Sequence, residues 1–78
     1  MLRYEIKFKS YGYGYLGGSS WDKLSDAKEE YLKLARLNIH DIETDYLGLN
    51  EDLYGQIYTI ILFDNKKEQA LLEHHLSF

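Results

Sequence analysis

Alternation of apolar and charged side chains over residues 2–9 is the feature that most restricts the fold of this chain. Leucine, tyrosine, isoleucine and phenylalanine occupy the even positions, while arginine, glutamate and two lysines occupy the odd ones. A period of two is typical of a β-strand with one buried and one solvated face. The sequence therefore predicts an amphipathic strand here, and the rest of the chain must supply its pairing partners and a layer to cover it.

Four further segments carry signals for regular structure. A helix is predicted over 25–37, which opens on a serine that can cap it and repeats apolar residues at helical spacing. The apolar run 57–63 has high β propensity and predicts a central strand. Apolar and acidic residues alternate over 42–46, which predicts another strand. Asn65 and Glu68 have capping-box spacing and predict a second helix that runs into the C-terminal residues.

These elements predict a single small α+β domain over residues 1–78. The expected order is β-α-β-β-α, with a three-stranded, mostly antiparallel sheet packed against two helices. Gly17–Ser20 is interpreted as a flexible turn. Tyr11–Tyr15 either continues the first strand past a bulge or begins a loop, because glycine in a strand pattern marks both.

Composition excludes several classes of protein. The 78-residue chain has no cysteine, so a disulfide framework, a thiolate nucleophile and a sulfur-ligated zinc site are excluded. The run 57–63 is far shorter than the roughly 20 apolar residues of a membrane span, so no membrane association is expected. The N-terminal residues lack the apolar region of a secretory signal, so a cytoplasmic location is expected.

No metal site, cofactor or catalytic residue is predicted, and the protein is not expected to be an enzyme. His74 and His75 are adjacent, so on the predicted helix they would point about 100° apart and could not bind one ion together. The segment Gly12–Gly17 fits G-x-G-x-x-G, but the next predicted helix starts too far along the chain to hold a pyrophosphate at its N-terminus.

Tyrosines form the first candidate partner-binding group. Tyr11, Tyr13 and Tyr15 alternate with glycines, and Trp21 follows shortly after them. Tyrosine supplies a large contact area at a low cost in rotamer entropy, which suits protein interfaces. If the segment continues the first strand, the three phenols project together from one face. The alternative is that they pack over the rim of a small core while the glycines permit a turn.

Acidic residues form the second candidate group. The net charge is −4, from 13 acidic and 9 basic side chains, yet no lysine or arginine occurs within 37–65. Five acids of that interval are candidate partner-binding residues: Asp41, Glu43, Asp45, Glu51 and Asp52. A patch of one sign steers a partner of the opposite sign. The alternative is a solvated face that keeps a small domain soluble.

These observations predict a small, acidic, non-catalytic protein-binding module, with the aromatic residues as anchors and the acids as the steering element. In size, charge and tyrosine content the chain resembles the small acidic proteins that bacteriophages use as stoichiometric inhibitors of host or defence machinery. The resemblance implies a larger protein partner, such as a nucleic-acid-handling or defence complex, and assigns no site residue.

Two alternative functions stay open. One is an oligomeric module that binds a nucleotide-like ligand between subunits, with tyrosines stacking on the base and Gly17–Gly18 admitting phosphate. The other is binding of single-stranded nucleic acid through the basic, tyrosine-rich first strand, which carries Arg3, Lys7 and Lys9. The net charge disfavours direct nucleic-acid binding. Homo-oligomerisation is a further expectation, because a three-stranded sheet leaves two free edges.

Overall fold

A computed structural model describes residues 2–76 as an α+β fold with one four-stranded antiparallel sheet. Its strands are β1 (Tyr4–Ser10), β2 (Gly14–Trp21), β3 (Ile57–Asp64) and β4 (Gln69–His75). The helix α1 (Leu24–Ala35) follows β2, and α2 (Ile39–Asp41) continues into a π-helical turn (Ile42–Tyr46) and then a 3-10 turn (Glu51–Leu53). The strand order across the sheet is β2-β1-β3-β4. No helix among the described residues is long and apolar enough to cross a membrane.

The helices cover one face of the sheet. On β1, Tyr4, Ile6 and Phe8 are buried, so the predicted alternation is confirmed. α1 packs over β1, β2 and β3. The core that results contains ten residues: Tyr4, Ile6, Phe8, Ala27, Tyr31, Leu34, Ile42, Ile57, Ile60 and Leu62. The α+β class, the antiparallel pairing, the first helix and the strand at 57–63 are therefore confirmed.

The predicted strand over 42–46 is wrong, because this segment forms the π-helical turn. Ile42 and Tyr46 are four residues apart, which is a helical spacing as well as a strand spacing. In the structure Ile42 is buried, and the ring of Tyr46 lies 5.8 Å from that of Phe8, centroid to centroid. Both side chains reach the core from consecutive helical turns, so the apolar pattern is satisfied without a strand.

The predicted C-terminal helix is also wrong, because residues 69–75 form β4 and pair with β3. Asn65 does not cap a helix: its side chain donates to the Leu2 carbonyl at 3.0 Å and to Glu5 Oε1 at 2.9 Å. Glu68 has a φ of +52°, a left-handed conformation that a helix cannot contain. The sheet therefore has four strands instead of three, and the main elements follow the order β-β-α-β-β.

The first helix differs from its prediction at the start. α1 begins at Leu24 with Lys23 at the N-cap position and no side-chain cap, so Ser25 lies in the first turn. The first two strands also differ, because the chain reverses at Tyr11–Tyr13 and the predicted turn at Gly17–Ser20 lies within β2. There the glycines form a bulge opposite β1, where the register shifts.

An ion pair between the partly exposed Arg3 and the buried Asp64 closes one end of the sheet. Asp64 is 2% exposed and accepts from Arg3 Nε at 3.3 Å and Nη2 at 3.2 Å. It also accepts from the backbone N–H groups of Lys66 and Lys67, at 3.0 and 3.3 Å. The hydrogen bond from Arg3 lowers the pKa of Asp64, and the two backbone donors act in the same direction against desolvation. The carboxylate thus joins the start of β1 to the turn between β3 and β4.

Replacing Gly18 with alanine should disrupt the pairing of β1 and β2. Gly18 has a φ of +120°, and a Cβ there would overlap the Ile6 carbonyl oxygen. We expect the Gly18→Ala variant to lose about 3–5 kcal/mol of unfolding free energy, from backbone strain and overpacking together. Gly12→Ala is the matched control, since Gly12 has a φ of +78° but open space around it; it should lose about 1–2 kcal/mol. If urea titrations gave equal losses of unfolding free energy for the two variants, the bulge at Gly18 would be contradicted.

The lowered pKa of Asp64 predicts a loss of stability in acid. The unfolded carboxyl titrates near about pH 3.9, so the stabilisation is complete above that pH and is lost as pH falls through the lower folded-state value. We expect the free energy of unfolding to fall less steeply below about pH 5 in Asp64→Asn than in the natural chain. Asp52→Asn, which changes an exposed carboxylate, should keep the natural slope. Identical slopes in the two variants would rule out the role of Asp64.

Candidate interaction surface

The side of the sheet opposite α1 carries no helix among residues 2–76. The charged positions of β1 point to this side, and the register of the strands places Lys7 opposite Ile61, Lys9 opposite Thr59 and Glu5 opposite Phe63. We call this side the open face. Its residues, by strand register, are Glu5, Lys7, Lys9, Tyr15, Ser20, Thr59, Ile61, Phe63, Glu73 and His75.

Long side chains cover the centre of the open face. Ile61 and Thr59 are only 2% and 1% exposed, although no helix lies over them. The Lys7 Nζ lies 4.4 Å from the centroid of the Phe63 ring and 5.1 Å from that of Tyr15. Lysine stems bury apolar surface while the ammonium group stays hydrated. The lysines therefore replace the second layer that the chain lacks here.

An ion pair crosses the same face. Lys9 on β1 donates from Nζ to Glu73 Oε1 on β4 at 3.3 Å, so the two side chains pass over β3. The hydrogen bond to Glu73 raises the pKa of Lys9 against desolvation, and the phenols of Tyr15 and Tyr58 contribute in the same direction. Tyr58 thus lies near the Lys9 amine, at the edge of the open face.

Tyrosines continue this surface onto the turn between β1 and β2 and the first two residues of β2. We call this segment the tyrosine hairpin (residues 11–15). The ring of Tyr11 stacks on that of Tyr58, with centroids 4.5 Å apart. Tyr11, Tyr13 and Tyr15 are 59%, 54% and 56% exposed, so none of them belongs to the buried core. Of the two alternatives for this segment, the structure has the turn, so the three phenols do not project together from one extended strand.

Trp21 lies on the other side of the sheet. It pairs with Tyr4 in the register of β1 and β2 and packs against the core. Its Nε1 donates to Ser19 Oγ at 2.8 Å, and the same hydroxyl oxygen lies 3.1 Å from the Tyr46 hydroxyl. Trp21 is half-buried, at the opposite end of β2 from the turn that carries Tyr11 and Tyr13, and on the opposite face from Tyr15.

The acidic candidates do not form one face. Glu43 is 3% exposed and accepts from the Gly55 backbone N–H at 2.6 Å, so it ties the π-helical turn to the segment before β3. The strand predicted over 42–46 would have put Glu43 and Asp45 on one face, and it does not form. Asp41 and Asp45 line an open cavity of about 220 Å³ beside α1, together with Glu30, Lys33, Leu34, Leu37 and Tyr46. Glu51 and Asp52 are exposed on the 3-10 turn.

The sequence does not identify the half of the open face that β3 and β4 contribute. It predicts a central strand for Phe63 and a helix for Glu73, and neither prediction places these side chains beside the lysines. His75 was missed as well, and its Nδ1 lies 3.0 Å from Thr59 Oγ1. The one usable signal was the odd-position charge on residues 3–9, which marks the solvated face of β1. No group of three His, Asp or Glu side chains suited to a metal ion occurs within residues 2–76.

The open face and the tyrosine hairpin bring together exposed aromatic rings and two lysines held by neighbouring groups. Aromatic residues are enriched at the centres of macromolecular interfaces, where they supply contact area and a polar tip. The arrangement is therefore suited to contact with another macromolecule. Comparisons of the chain with protein family models, with curated proteins and with solved structures find no match.

Proposed function

We propose that the protein is a non-catalytic protein-binding module that contacts its partner through the open face and the tyrosine hairpin. The observation that carries the proposal is the exposure of Tyr11, Tyr13 and Tyr15, each more than half accessible, next to a sheet face without a covering helix. Interface energy concentrates in a few tyrosine, tryptophan and arginine side chains. The three tyrosines are the anchors in this proposal, and Trp21 supports the sheet from the other side.

The order already present in this surface supports the proposal. Lys7 is held between two rings, Lys9 is held by Glu73, and Tyr11 is stacked on Tyr58. Side chains that are ordered before binding lose less conformational entropy when the partner arrives. A surface of this kind gives more affinity per contact than one made of freely rotating side chains.

Charge on the open face favours a protein partner over a polyphosphate. Lys7 and Lys9 are offset by Glu5 and Glu73 on the same side of the sheet. Nucleic-acid affinity depends on lysine and arginine side chains that neutralise phosphates, and here the two charges cancel locally. A mixed surface suits a polar protein surface with its own charges of both signs.

A domain of this size acts on a larger partner by covering part of its surface. We extend the proposal to stoichiometric inhibition of a cytoplasmic protein complex, the mode of the bacteriophage proteins that the chain resembles. The alternative of a nucleotide-like ligand, in which Gly17 and Gly18 would admit phosphate, receives no support from the surroundings of these two glycines. A Cβ at Gly17 would overlap the Leu47 side chain and one at Gly18 the Ile6 carbonyl, so close packing at the bulge accounts for both glycines without a ligand.

The tyrosine anchors predict a separation of binding from stability. The partner is captured from a lysate of the source organism on the immobilised full chain and then purified and titrated by calorimetry. We expect one-to-one stoichiometry. The variant with Tyr11, Tyr13 and Tyr15 changed to serine should lose about 100-fold or more in affinity. Its melting temperature should fall by about 6–12 °C with a cooperative melt retained, because the three exposed positions contribute about 0.5 kcal/mol each.

Leu32→Ser is the matched control, since Leu32 is an exposed apolar residue on α1, on the opposite side of the sheet. It should keep the affinity of the natural chain. Unchanged affinity of the tyrosine variant would overturn the proposal, and so would an equal loss in Leu32→Ser. Tight binding of a single-stranded oligonucleotide that is lost in Lys7→Gln would favour the nucleic-acid alternative instead.

The separation of the acids from the tyrosines predicts a weak salt dependence. Asp41 and Asp45 lie beside α1, on the other side of the sheet, and the Debye length shrinks from roughly 14 to 4 Å between about 50 and 500 mM salt. Steering through the molecule is screened over most of this range, so we expect affinity to change by about threefold or less. A steep fall that disappears in the variant Asp41→Asn, Asp45→Asn would move the contact to the acidic side.

A further inference from the structure

β4 is an edge strand whose outer side is free in the described chain. Five of its seven residues are exposed. It contains no proline and no lysine, the residues with which proteins commonly protect an edge against pairing. The bulge at Leu71 leaves the stretch after it regular, and an open edge of this kind is a template for another strand.

The hydrogen-bond pattern shows which backbone groups face outwards. The Leu76 N–H donates to the Tyr58 carbonyl on β3 at 2.8 Å. Hydrogen-bonded and non-hydrogen-bonded pairs alternate along an antiparallel ladder, so the even-numbered residues of this stretch bond to β3. The odd-numbered residues Glu73 and His75 therefore turn their backbone N–H and C=O groups to the free edge.

We infer that β4 pairs with β4 of a second copy of this chain, antiparallel, about a two-fold axis at His74. This register joins the outward groups of Glu73 to those of His75 of the other copy, twice by symmetry, with four backbone hydrogen bonds. On the open face it places a carboxylate next to an imidazole on each side of the axis. On the helix side it places Leu72 against Leu76, both half-buried in the single chain.

Other registers are less complementary. An axis at Glu73 places the two glutamates directly opposite each other, and like charges in that position are destabilising. An axis at Leu72 would include Leu71 in the paired stretch. The register of β3 and β4 shifts at Leu71, and the strand bulges there. The axis at His74 uses only the regular part of β4.

The opposite edge of the sheet does not offer the same template. β2 is bulged at Gly17 and Gly18, which both have positive φ values. Leu47 packs against Gly17. A bulged strand bends away from the plane that a second strand needs, which is one of the ways in which natural sheets protect an edge. β3 is central and already paired on both sides.

The dimer merges two four-stranded sheets into one continuous sheet of eight strands. Pairing over 72–76 buries less area than the roughly 1,200 Å² of a standard stable interface, so association is weak and depends on concentration. We expect a dissociation constant between about 10 μM and 1 mM. Sedimentation equilibrium of the natural chain measures it, and a monomer at all concentrations up to about 1 mM would overturn the inference.

Single introduced cysteines test the register of the proposed dimer, because the natural chain has no cysteine of its own. At the proposed axis the two residues at position 74 form a non-hydrogen-bonded pair with Cα atoms about 4.5 Å apart, within the range that a disulfide spans. The His74→Cys variant should therefore form a crosslinked dimer with oxidised glutathione. Ala70→Cys, also exposed on β4, is the control, since its two copies would lie about 26 Å apart. We expect crosslinking at least about tenfold faster at position 74.

Equal rates in the two variants would overturn the inference, and so would faster crosslinking in Leu72→Cys or Glu73→Cys. A charge reversal tests the same register without cysteine. Glu73→Lys should weaken the dimer, while Glu51→Lys, which changes an exposed acid away from β4, should not. Adding His75→Glu to Glu73→Lys restores opposite charges across the axis and should recover dimer formation. Failure of this rescue, with a cooperative melt retained, would also count against the inference.

Discussion

One amphipathic helix covers one face of a sheet, and in this chain there is no second layer for the other face within residues 2–76. α1 supplies Ala27, Tyr31 and Leu34 to the helix side. The central strands still carry Thr59 and Ile61 on the open face, and both need protection from water. The lysines of β1 and the ion pair that crosses β3 provide this protection. The charged residues of the first strand therefore help to bury the open face of the sheet.

Elements whose signals are local could be predicted from the sequence. The period of two on β1, the helical repeat of α1 and the β-prone run of β3 each identify a segment without reference to the rest of the chain. β4 could not be recognised, because Leu71, Leu72 and Leu76 suit a helix face as well as a strand. Its state is decided by the free edge of β3, which a single sequence does not reveal. The turn at Ile42–Tyr46 was missed for the same reason, since its apolar spacing fits both structures.

In the candidate surface, too, features with local signals could be predicted, and features that depend on distant parts of the chain could not. The exposure of the tyrosine run is one of two alternatives that the sequence left open, and the glycines favour it, because a segment with no side chain at every second position buries little apolar area. The contact between Lys7 and Phe63 was not, since it depends on the register of two strands more than fifty positions apart in the chain. Glu43 was misplaced because it alternates with Ile42 and Thr44, a pattern that puts it on the solvated face of a strand. Its own carboxylate completes the hydrogen bonding of the Gly55 backbone, a requirement of the fold that composition cannot express.

A cover made of side chains differs from one made of a helix in how readily it is displaced. An exposed cation–π contact contributes about 0.5–1 kcal/mol, and a surface ion pair about 0–1 kcal/mol. Contacts of this kind favour one arrangement of Lys7 and Lys9 before binding and still let both side chains adjust when a partner arrives, while Ile61 and Thr59 stay almost fully buried beneath them. The same lysines that protect the sheet in isolation leave it available to a partner. This is the reason why our proposal places the partner on the open face and not on the helical side.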